Sequence, residues 1–133
     1  MRRRRSPDDL SRTVAVGLVA GRVAIGTAAA LFPRSSLRFL GFDAESASAQ
    51  VLARMAGGRD LALAGLIGAN LDDSERLREA TWSGVAVDAG DAAAFLIAGL
   101  RQPELRRAAA LSAPLALAAT AAGCWLAWRL DQG

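Results

Sequence analysis

The chain contains no histidine, no tyrosine, no lysine and a single cysteine, Cys124. Each absence removes a class of chemistry. Without histidine there is no Ser-His-Asp or Cys-His nucleophile. With one cysteine and no histidine there is neither a Cys/His zinc site nor a disulfide framework. All 16 basic residues are arginine, and Phe and Trp are sparse, at four and three residues. What remains is apolar: 53% of the 133 residues are hydrophobic and the mean hydropathy is +0.25. That balance excludes disorder as the main state, and the length suits one domain.

A net charge of +3 and a pI near 10.8 invite a nucleic-acid reading. The distribution points elsewhere. Arg2 to Arg5 form one terminal run, and the other arginines are scattered between apolar stretches without any nucleic-acid-binding motif. No nucleic-acid partner is expected. A basic run beside an apolar stretch is the usual flank of a membrane segment.

Four apolar segments separate along the chain. Ser6-Pro7-Asp8-Asp9 reads as a helix start, with Ser6 as cap, Pro7 at the first helical position and two acids at the positive end of the dipole. Residues 13–32 then carry one charge, Arg22, and stop at Pro33. Arg34 to Ala47 reads as a polar connection. A second segment covers 48–70. Asp72 with Glu75 three residues on resembles a capping box, and it opens a third segment over 77–100. Pro103-Glu104 opens the fourth, 105–128, in which Ala108 to Trp128 is uncharged throughout.

That last run decides the class. About 20 apolar residues rising 1.5 Å each cross the roughly 30 Å hydrocarbon core of a bilayer. Trp125, Trp128, Arg129 and Trp82 are placed as interfacial anchors, and Pro114 is tolerated in a membrane helix. A soluble Ala-rich bundle is the competing reading, but its helices need a charged outer face that the first and fourth segments lack. The expected fold is all-α: a four-helix transmembrane bundle with antiparallel up-down topology. It would form one membrane domain over 13–130, after a basic N-terminus and helix start at 1–12. The first stretch is expected to be a span and not a cleaved signal peptide, because it is long and further apolar stretches follow. Counting arginines by side gives eight with the N-terminus and five opposite. The bias favours both termini in the cytoplasm of a cell membrane, although Arg106 and Arg107 oppose it.

The midpoints of the first three segments fall near Arg22, Arg59 and Asp88, with Asp60 and Asp91 within a turn of the same depth. Each such charge costs about 2.5–3.5 kcal/mol at the centre of a bilayer, so five facing lipid would cost roughly 12–18 kcal/mol. They are therefore expected to face inward, with Arg22 and Arg59 neutralising the carboxylates. Asp88 and Asp91, three apart, share a helix face. The cluster sums formally to −1, which a proton on one Asp would cancel. Two roles are open. The cluster is polar glue that fixes which helices touch, or it is a site for the polar group of a small lipophilic ligand, or a proton relay. Arg54 lies about 140° around its helix from Arg59 and is a secondary candidate, placed for another contact or for snorkelling.

Other features are weaker. Gly17 and Gly21 form a G-x-x-x-G pair, and Gly57, Gly58, Gly65, Gly68, Gly84 and Gly90 add small positions, all read as close helix packing. Gly57-Gly58 is no phosphate loop, since it lies inside a helix. Asp88-x-x-Asp91 is too short a pattern for a Mg²⁺–diphosphate site. No cofactor and no metal are expected, and Cys124 is a small packed hydrophobe. Arg and Asp orient, polarise and exchange protons, but no nucleophile, metal set or cofactor loop accompanies them, so the reading leans away from an enzyme.

Gly21-Arg22, then Arg54-Met55-Ala56-Gly57-Gly58-Arg59-Asp60, then Val87-Asp88-Ala89-Gly90-Asp91 resemble one group of proteins. These are small bacterial four-helix membrane proteins of unknown function, similar to the DoxX-like superfamily, and the likeness covers residues 12 to 128. It implies a compact bundle of four spans with the charged motif inward, and no activity. Some DoxX-like relatives are described as subunits of quinone-linked oxidoreductases, an analogy of fold alone. An Arg-only, Ala-rich composition suits a high-GC bacterium. The expectation is a membrane protein whose Arg22, Arg59, Asp60, Asp88 and Asp91 hold a small lipophilic molecule with a polar group or relay protons. The alternative is a non-catalytic subunit or assembly partner in which the cluster is structural. Its small-residue faces permit a homodimer or a membrane-protein partner.

Overall fold

A computed structural model describes residues 6–132; the Arg2 to Arg5 run lies outside the described residues. The described chain is all-helical and holds no strand. Five α-helices follow in order: α1 (Asp9–Leu31), α2 (Pro33–Leu40), α3 (Ala47–Gly68), α4 (Ser74–Arg101) and, after a 3₁₀ turn at Pro103–Leu105, α5 (Arg106–Gln132).

The helix ends follow local chemistry, with three departures from the sequence reading. α1 is capped not by Ser6 but by Asp8, whose carboxylate accepts from the Ser11 backbone N–H at 2.7 Å, leaving Pro7 outside the helix. α4 is capped by Asp73, which accepts from the Arg76 N–H at 3.2 Å. Asp72 instead pairs with Arg12 at 2.9 Å. The polar connection contains a helix, α2. Pro33 ends α1, because it offers no N–H, and occupies the first turn of α2, where its fixed φ is an advantage. Leu37 and Leu40, three apart, give α2 an apolar face. Gly41, at φ 83°, closes it with N–H groups returning to Arg38 and Leu37.

Three helices are long and apolar enough to cross a membrane: α1, α4 and the 3₁₀ turn with α5. Only 17–28% of their apolar stretches is buried within the molecule. Leu100, Phe39, Leu31 and Met55 are among many large apolar side chains left bare. Apolar surface on that scale belongs against lipid, not water, and marks a membrane protein. The expected fourth segment, α3, is long enough at 22 residues but carries Arg54, Arg59 and Asp60, so composition alone does not qualify it.

Packing is uneven. α1 lies along α3 and α4 along α5, while the two pairs touch lightly, α1 to α5 and α3 to α4. The backbones of α1 and α4 stay apart, and only side chains reach between them. The tight seams rest on small residues. A side chain at Gly26 would lie 2.8 Å from the Gly57 carbonyl oxygen, one at Gly99 would meet Ala109, and one at Gly123 would meet Val85. At one end of the molecule the four long helices close around Ala15, Ile67, Leu77, Ala80 and Leu126, all 0–3% exposed. Asp8–Arg129 at 2.9 Å and Arg78–Asp131 tie that end, so both described chain ends lie there together.

Candidate functional site

The other half of the molecule is hollow. A cavity of about 510 Å³ runs from mid-helix to α2 and is lined from all five helices. Small residues create it: Gly17 and Gly21 of α1, Ala53 and Ala56 of α3, Ala116 and Ala119 of α5. The G-x-x-x-G pair is therefore not a packing seam. Nothing lies within 4 Å of where a side chain at Gly17 or Gly21 would begin, and the same holds at Gly58, Gly65 and Gly90. The close approaches fall at Gly26, Gly57, Gly84, Gly99 and Gly123 instead.

All five mid-depth charged residues converge on this cavity. Arg22 of α1, 8% exposed, donates from Nη2 to Asp88 Oδ2 of α4 at 2.6 Å. Its Nη1 lies 3.4 Å from Asp60 Oδ1 of α3. Arg59 of α3 grips Asp91 of α4 with both prongs, Nη1 to Oδ1 at 3.0 Å and Nη2 to Oδ2 at 2.6 Å, and reaches Asp60 Oδ1 at 3.5 Å. Gly84 makes room for Arg22, since a side chain there would lie 2.8 Å from Arg22 Nη2. Arg54 stands apart: it is exposed and forms no ion pair among the described residues.

These ion pairs sit where apolar packing is thinnest. Arg22–Asp88 joins α1 to α4, whose backbones stay apart, and Arg59–Asp91 spans the light α3–α4 seam. Arg22–Asp88 is enclosed and little screened, while Arg59–Asp91 is about one-third exposed; both specify which helices face each other. Beyond the cluster, towards α2, the walls turn apolar: Ile25, Leu37, Leu52, Phe95 and Leu115. Phe42 and Phe95 stand at 6.1 Å between ring centroids, tilted by 48°.

The placement of the five charges was legible from spacing; the cavity and its far wall were not. Leu37 and Leu40 of α2, Phe42, and Ser112 of α5 all line it. The one available signal was Pro33 followed by apolar residues at helical spacing and then Gly41. Among the described residues no three acidic or cysteine side chains are placed to hold a metal ion. Arginine-held carboxylates beside an apolar chamber are an arrangement that can orient a polar group. Compared with known proteins, the chain matches no family model, no curated protein and no solved structure.

Proposed function

We propose that the chain is an integral membrane protein of four antiparallel spans, α1, α3, α4 and α5, that binds a small lipophilic molecule by its polar group. Arg22, Arg59, Asp60, Asp88 and Asp91 form the polar end of that site. The observation carrying this reading is that the cavity reaches the cluster. A volume of about 510 Å³, mostly apolar walls and a few convergent polar groups are the ordinary make-up of a small-molecule site. α3 counts as a span because Arg59 and Asp60 turn inward, which lowers the cost of its charges. The resemblance to small bacterial DoxX-like proteins agrees with four spans in a cell membrane. Arginine counts favour both termini in the cytoplasm.

The test is extraction. Protein purified from membranes in mild detergent is stripped with organic solvent, and the extract is compared by mass spectrometry with that of Gly21→Leu. That variant fills open space beside Arg22. A near-stoichiometric compound present in the parent and missing from the variant is the expected result. Identical extracts would sink the reading.

A second reading has its own observation. The ion pairs tie the two helix pairs together outside the closed core, as they would in a non-catalytic subunit or assembly partner. Constant co-purification with one membrane protein, together with a clear loss of melting temperature in Asp88→Asn and Asp91→Asn, would favour it.

A further inference from the structure

The geometry points to a lipophilic monocation, an organic ammonium with an aromatic or alicyclic body, as the ligand class of this cavity. The inference rests on the cavity being a ligand site and specifies what it takes. Its first support is charge. Two arginines and three aspartates line the chamber, a formal sum of −1, and every other lining residue is uncharged; α2 and α5 add only Ser36 and Ser112 as polar groups. An uncompensated charge at mid-membrane is expensive, and one positive charge on the ligand removes it.

The second support is hydrogen-bond supply. The arginine Nη groups are committed to the carboxylates. The Nε atoms of Arg22 and Arg59 are sealed without partners, as is Ser112 Oγ, and none of the three meets open space. The donors left to a ligand are second hydrogens on Nη atoms that a carboxylate already holds, two on Arg22 and one on Arg59. Acceptors are in surplus. A carboxylate has about four lone-pair sites, yet among the described residues no donor reaches Asp60 Oδ2 or Asp88 Oδ1. Both residues line the cavity, and neither oxygen is among the sealed atoms. An ammonium, with donors and no acceptor, matches those open oxygens, whereas a carboxylate or phosphate would add to the negative sum of the lining.

The third support is shape. Phe95 lies four residues from Asp91 and seven from Asp88 on α4, about 6 and 10 Å along the helix. The Phe42–Phe95 pair thus stands one to two turns from the acids, on the apolar side of the chamber. A cationic head against Asp60 and Asp88 places a ring at that pair. A membrane lipid has the opposite order along the normal, with its head at the interface and its tails at mid-depth.

The competing neutraliser is a proton on the cluster, and calorimetry on the purified full chain in non-ionic detergent separates the two. The probes are 4-phenylbutylammonium and its uncharged counterpart 4-phenylbutan-1-ol, at neutral pH. The ammonium is expected to bind at least about ten-fold more tightly, the scale of one charge neutralised in a partly dry site. Asp60→Asn is expected to remove that preference, and Gly21→Leu to weaken both probes. Should Asp60→Asn fail to fold, Asp91→Asn, whose side chain is 33% exposed, supplies the same comparison. Equal binding of ammonium and alcohol would overturn the cation assignment and leave the cavity as a ligand site. Binding of neither, or binding indifferent to Gly21→Leu, would overturn both.

Discussion

At the end where α1 begins and α5 finishes, Ile67, Leu77 and Leu126 meet at 0–1% exposure and close the four long helices into a core. From mid-helix toward α2 the same helices leave about 510 Å³ open, bordered by Gly17, Gly21, Ala53, Ala56 and Ala116. The helices are continuous through both halves, so the difference lies in the side chains alone. Large branched residues fill the space between the two helix pairs at one end. At mid-depth, small residues and ion pairs border that space without filling it, and beyond them apolar side chains such as Ile25, Leu52 and Phe95 line it. The two helix pairs are joined by contact area in one half and by a few directed bonds in the other.

The sharpest way to break that contrast is Arg22→Met. It removes the cation that links Asp88 to Asp60 and leaves two enclosed carboxylates with one less partner. Breaking a buried pair from one side costs about 3–5 kcal/mol, so thermal melting in detergent is expected to show a large drop. Next comes a pair of truncations on α5. Leu126→Ala, in the closed half, is expected to cost about 2–5 kcal/mol, the usual range for emptying a packed site. Leu115→Ala, in a cavity wall and already 54% exposed, is expected to cost about 1 kcal/mol or less, since few contacts are lost. Equal losses in a denaturant or thermal series would mean that the two halves are not packed differently.

A smaller effect distinguishes two glycines of α1. Gly26→Ala forces a carbon to 2.8 Å from the Gly57 carbonyl oxygen, and such overpacking costs typically 1–3 kcal/mol. Gly21→Ala enters open space and is expected to gain up to about 1 kcal/mol from helix propensity. Opposite signs in melting temperature are the outcome to look for. The smallest effect is the pH response of the closed end. The Asp8 carboxylate is held at about 2, below its ordinary 3.8, chiefly by the Ser11 backbone N–H and hydroxyl and then by Arg129. A lowered folded-state value means the contribution is fully present above the unfolded 3.8 and is lost as pH falls through about 2. Asp8→Asn is expected to flatten the acid limb of the stability profile in that window, read by melting temperature against pH.

Much of this could be read from the chain beforehand, for identifiable reasons. Spacing alone predicts that Arg22, Arg59, Asp60, Asp88 and Asp91 meet, because charge is so costly at mid-membrane that depth constrains its partners. Helix boundaries were legible to within a few residues, because Pro33, Asn70 to Glu75 and Pro103 are strong local signals. Choosing between Asp72 and Asp73 as cap was not, since either side chain suits the role and only the path of the turn decides. α2 stays hidden in the sequence because eight residues are too few to show a clear period against a polar background.

The glycines show the limit most plainly. Gly17, Gly21, Gly26 and Gly57 look alike along the chain, yet the first pair opens a chamber and the second closes a seam. Residue types and their spacing determined, by themselves, the helical class, the apolar lengths and the depth of the charges, because each depends on burial energy and position along one helix. Which small residues touch, which stand apart, and that the charges border a cavity were decided only by the packing of helices far apart in sequence. A helix face has no fixed neighbour until the whole bundle forms, and a void belongs to several helices at once.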